Sequence, residues 1–175
     1  MDLNIFNKTV GTIFDKPLAD YGFKLKKKKT EKLFCERIYV NGDRYVRISG
    51  DVHPMDFPPH YNIVFGQGSY EWPDTDWNSV ALWRIKKSID PKAKAKEYSL
   101  EQMDNDKLDF SLNHAKNELL KFGQKFLIGD IELFDKVRRE QNKDRQPYKI
   151  HTPTANGGLE TTFDEESKRL KEKYS

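Results

Sequence analysis

The sequence predicts an α+β fold: a kinked N-terminal helix, an antiparallel meander sheet of four or five strands, two packed helices and a short C-terminal helix. Three observations carry this. Leu33–Val40, Asn41-Gly42-Asp43 and Arg44–Gly50 read as a β-hairpin, because Asn-Gly between β-branched and aromatic runs suits a type I′ turn with positive φ. Tyr61–Phe65 adds a third such run, the minimum for a sheet that stands in water. Leu108, Leu112, Ala115, Leu119, Phe122 and Phe126 recur in alternating steps of four and three, the apolar stripe of one core-facing helix.

Taken in order, Leu3, Phe6, Val10, Ile13, Phe14, Leu18 and Tyr21 fall at helical intervals and predict a first helix over residues 2–21. Pro17 removes one main-chain donor from it, which predicts a kink or a break near Asp15. Gly22 reads as the left-handed residue that ends the helix, with Phe23 folded back on the last turn. Phe23 and Leu25 alternate with lysines, the pattern of an edge strand whose charges discourage pairing with other molecules. Both faces of Leu33–Val40 are partly apolar, whereas Val46 and Ile48 mark the inward face of Arg44–Gly50. Pro54, Pro58 and Pro59 cannot donate to a ladder, so residues 51–60 read as a loop.

Asn78–Lys86 alternates as a strand would, with a helix capped by Asp76 as the other reading. Ser99-Leu-Glu-Gln102 has the form of a capping box. Gly129 ends the long stripe, and Asp130 caps a further helix through Ile131, Phe134 and Val137. Residues 142–158 read as loop or tail. Thr162-Phe-Asp-Glu165 is a second capping box, opening a last helix with Phe163, Leu170 and Tyr174 on one face. The predicted division is a single domain over 1–142 and a loosely attached C-terminal segment over 143–175.

A chain of 175 residues can bury a core without cross-links. With 36% hydrophobic and 13% aromatic residues, that core is modest and aromatic-rich, and the composition argues against disorder over most of the length. A net charge of +3 is too balanced to demand a polyanionic partner. Cys35 is the single cysteine, which excludes an intrachain disulfide and a four-thiolate zinc site. No apolar run is long enough to span a bilayer. Asp2 and Asn4 stand where a signal peptide has basic and then apolar residues, so the expectation is a soluble cytoplasmic protein with no membrane partner.

Three constellations are candidates for function. Tyr70, Trp72, Asp74, Asp76 and Trp77 lie in a loop joining two predicted strands. Aromatic side chains anchor interfaces and acidic ones suit a basic partner, although the tryptophans would equally lid the sheet. Lys24, Lys26 and Lys28 with Arg37, Arg44 and Arg47 form a basic set interleaved with Phe34, Tyr39 and Tyr45, as in proteins that grip phosphates and stack bases; a solvated edge strand explains the lysines as well. Asp51, His53, Asp56 and His60 offer imidazole and carboxylate ligands for zinc, manganese or iron, as in a metal-dependent hydrolase. No recognised metal motif has that spacing, and the prolines explain the loop without a metal. No nucleophile triad or phosphate loop assembles, and no motif asks for a cofactor.

Leu18-Ala-Asp-Tyr-Gly22-Phe23-Lys24-Leu-Lys26, followed by a strand carrying Phe34 and Arg37, resembles the opening of a group of small bacterial α+β domains of unassigned activity. Those begin with a helix, a Gly-Phe-Lys junction and an antiparallel meander, and close with helices. The resemblance covers roughly residues 1–85, and the loop 54–59 and the chain after Asn142 depart from it. Some similar domains occur beside toxin genes, so the resemblance implies an immunity-type or partner-binding role; it carries over no functional residue. The leading expectation is a non-catalytic domain that binds another macromolecule, first of all a protein. Nucleic-acid binding and metal-dependent hydrolysis are the alternatives.

Overall fold

Phe6, Val10, Phe14 and Leu18 are all turned inward from helix α1 (Leu3–Asp20), which Asp2 caps by accepting from the Asn4 nitrogen at 2.7 Å. The computed structural model describes residues 2–55, 58–93, 98–101, 103–154 and 156–175. α1 carries Pro17 within it and continues to Asp20 without an interruption at Asp15, since Phe14 and Leu18 on either side are both fully buried. Gly22 takes φ +81°, and the Gly22 and Phe23 nitrogens return to the Ala19 and Leu18 oxygens at 2.8 and 3.0 Å. That left-handed terminator swings the chain into β1 (Lys24–Thr30).

β2 (Phe34–Asn41) and β3 (Arg44–Asp51) form the predicted hairpin, but Asn41 pairs with Arg44, so the two turn residues are Gly42 and Asp43. Gly42 supplies the positive φ, +62°. Asn41 stays in the ladder because its side-chain amide donates to the Tyr21 oxygen at 2.9 Å, fastening the hairpin tip to the helix end. β4 (His60–Gln67) lies beside β3, and its far edge is shared by β5 (Ser79–Ala81) and β6 (Tyr98–Ser99). The result is an antiparallel sheet in the order β1-β2-β3-β4-β5, with β6 beside β4.

α2 (Asp74–Asn78) precedes β5, and α3 (Leu82–Ile89) follows it directly. The strand predicted over Asn78–Lys86 therefore gives way to a three-residue strand and a helix. Leu82 and Ile85 are three apart and both buried, and α3 packs on α4 and α6; an extended chain would send the two to opposite faces. The Ser99 capping box does not open a helix: Ser99 pairs in β6, and Gln102 lies outside the described residues. Asp104 caps α4 (Asn105–Phe122) instead, accepting from the Lys107 nitrogen at 2.9 Å.

The long apolar stripe is divided between α4 and α5 (Gln124–Ile128) at Gly123. A Cβ there would sit 2.4 Å from the Phe65 ring, so this glycine lets β4 press against the helix junction. α6 (Glu132–Asn142) follows. The helices cover one face of the sheet, where Cys35, Tyr39, Val46, Ile48, Ile63 and Phe65 are buried.

Residues 149–163, predicted as loop and helix start, form a two-stranded ribbon, β7 (Lys149–Pro153) with β8 (Leu159–Phe163), exposed at every position described. Thr162 pairs with Ile150 in it, leaving Asp164 to cap α7 (Glu165–Tyr174) by accepting from the Ser167 nitrogen at 2.7 Å. α7 packs on α2 and α6, with Leu170 and Tyr174 closing over Trp77.

Candidate functional site

The aromatic loop is tied down at its base and open at its tip. Asn78 accepts from the Tyr45 hydroxyl at 2.8 Å and donates to the Ser69 oxygen at 2.6 Å, while the Tyr70 ring meets Tyr45 edge-on at 6.2 Å. Trp77 is 0% exposed, whereas Trp72 is 72% exposed. The two indoles thus part company: Trp77 belongs to a small core with α7, and Trp72 stands in solvent. Trp72 is not loose there, because it stacks on Tyr148 with ring centres 6.0 Å apart and 17° between planes. The Tyr148 hydroxyl donates to Asp76 at 2.5 Å. Burial and that bond push the hydroxyl up to about 12, so it remains a donor. Asp76 also receives Arg145 at 3.2 Å, and the Arg145 guanidinium lies 4.7 Å over the Trp77 ring. Asp74 opens α2 beside them.

Behind this ledge, on the sheet face turned away from α1, is a polar cavity of about 410 Å³. Arg47 and Asn62 from the sheet line it, together with Asp76, Arg145, Trp83 and Arg84. Three arginines face one carboxylate. Arg145 is engaged by Asp76, and Arg84 lies 4.5 Å over the Trp83 ring. Arg47 has no hydrogen bond or ion pair to any described residue, and its Nε, the Asn62 Oδ1 and the Trp83 Nε1 are shielded atoms without a protein partner. Sequence reasoning placed Arg47 in a basic strand and missed Asn62, Trp83, Arg84 and Arg145. Two polar residues on one face of adjacent hydrophobic strands were the available signal; most of the remaining wall comes from α2, β5, α3, α6 and the chain after α6.

The other predicted sets do not converge. Lys24, Lys26 and Lys28 are exposed along the edge strand. Arg37 turns under α1, donating to Asp15 at 3.1 Å and to the Asn7 side chain at 2.7 Å. Arg44 donates to the Phe126 and Leu127 oxygens and lies over the Phe23 and Phe126 rings. Arg47 is on the face opposite Arg37 and Arg44, so the three arginines do not share a surface. Asp51 accepts from the His53 nitrogen at 2.7 Å, and His60 sits opposite Asp51 in the ladder. Asp56 lies outside the described residues. Among the described residues, no group of three or more His, Cys, Asp or Glu side chains is arranged to hold a metal.

Fold and site together define an α+β domain with an arginine-lined polar cavity beside an exposed, stacked tryptophan. No family model, curated protein or solved structure matches the chain. Among the described residues no helix is long and apolar enough to cross a membrane.

Proposed function

We propose that this chain is a non-catalytic binding domain whose partner is a protein, in the manner of an immunity-type protein, docking on the Trp72–Tyr148 ledge and the cavity behind it. One observation carries the reading: a tryptophan 72% exposed is held in a fixed pose by an aromatic stack whose second ring is itself hydrogen-bonded. Rigid, preoriented aromatic area is what interface anchors supply at low entropic cost. The dispersal of Arg37, Arg44 and Arg47 weighs against the nucleic-acid alternative.

The test uses wild-type protein and Trp72→Ala side by side on extract from the source cells, with retained proteins identified and then purified. A partner that binds the wild type and loses about tenfold or more of its affinity for Trp72→Ala supports the reading. Partners that bind both forms equally would overturn it.

A further inference from the structure

We propose that the cavity lined by Arg47 seats a carboxylate of the partner polypeptide. This rests on the reading of the surface as a protein-binding one and names the chemistry it selects. Arg47, Arg84 and Arg145 against the single carboxylate of Asp76 leave the cavity lining with a positive balance, which suits an anionic occupant. Arg47 pairs across the ladder with Val64, and Asn62 lies two residues along the same face, within reach of the same small group.

The charge of the walls favours an anion. Arg145 is paired with Asp76 and Arg84 lies over the Trp83 ring, and neither Arg47 nor Arg84 has an acceptor among the described residues. The planar guanidinium fork also matches a carboxylate in two parallel bonds. The cavity and the ledge share Asp76, so a chain laid over Trp72 reaches the cavity without leaving the surface.

The supply of carboxylate is either a chain's C-terminus or an Asp or Glu side chain, and the experiment separates them. The full chain, labelled with ¹⁵N, is titrated with four probes while the Arg47 Nε–H and Trp83 Nε1–H signals are followed. The probes are an acetylated Gly/Ala tetrapeptide with a free C-terminus, its amidated twin, an amidated twin carrying one Glu, and inorganic phosphate. Saturable shifts at both signals with either carboxylate peptide, none with the neutral amide, and Trp77 Nε1–H unmoved are expected. The peptide that binds names the source. Arg47→Lys, which keeps the charge but not the fork, weakens binding about tenfold, and Arg47→Gln abolishes it. Silence with both carboxylate peptides overturns the inference, as does phosphate binding more tightly than either. A partner lost on Trp72→Ala but kept on Arg47→Gln would end this inference alone, leaving the ledge as the docking surface.

Discussion

Asn142 on α6 donates its side-chain amide to the main-chain oxygen of Trp77 at 2.7 Å. The same amide reaches the Tyr174 oxygen at 3.0 Å, so one fully buried side chain joins α2, α6 and α7.

Replacing Asn142 with Ala leaves two carbonyls in the interior without their donor. Stability should fall by about 1–3 kcal/mol, read from urea unfolding at neutral pH. A loss below about 0.5 kcal/mol would mean that α7 is held by Leu170 and Tyr174 alone.

Trp72 and Trp77 should behave as opposites. Trp77→Ala empties a site sealed by Leu170 and Tyr174 and should cost about 3–5 kcal/mol. Trp72→Ala, on the surface, should stay within about 0.5 kcal/mol of wild type. Thermal melts of the two variants decide it, and equal losses would contradict the exposed stack.

Glu118 on α4 sits among Lys86, the Tyr98 hydroxyl at 2.7 Å and His114 at 3.4 Å. Burial alone would raise its carboxyl, but the bonds from Lys86 and Tyr98 and the charges of Lys86 and His114 outweigh that and hold it below its ordinary 4.5. A carboxyl depressed in the folded state adds stability above its ordinary value and loses it as the pH falls through the folded one. Glu118→Gln should therefore be less stable than wild type at neutral pH, with the gap closing below 4.5. Urea midpoints across an acid series test this; a gap independent of pH would refute it.

Cys35 is 1% exposed against Phe6 and Gly50, and burial pushes its thiol up to about 11. Protonated and covered, it should resist a thiol reagent at neutral pH in the native state. Labelling should track unfolding as urea is added. Rapid labelling of the native protein would show that α1 lifts from the sheet.

What was legible in the sequence was whatever short-range chemistry decides. Phe6, Val10, Phe14 and Leu18 repeat at the helical period, and Gly22 permits the one backbone conformation that ends such a helix, so α1 and its terminator could be read directly. The hairpin was equally clear, yet its register was one residue off. Asn41 and Gly42 both suit a turn, and only the bond from Asn41 to Tyr21, across the sheet's edge, selects Gly42-Asp43. Leu82 and Ile85 read as strand or helix until α4 and α6 supply the surface that buries both.

The candidate site was legible only in fragments. Composition and pattern alone determine the α+β class, the single cysteine and an aromatic loop between two strands. They do not separate Trp72 from Trp77, because the difference lies in α7 and Tyr148, which arrive from the far end of the chain. Nor do they distinguish Arg37 and Arg44 from Arg47. Alternation assigns Arg47 to the face opposite Arg37, and tertiary packing then decides which face acquires acceptors. Asp15 and the Phe126 carbonyl meet the first two, while the walls around Arg47 bring two more arginines and one carboxylate already in use. A charge finds its partner through distance in space, and that distance is set only when the chain has folded.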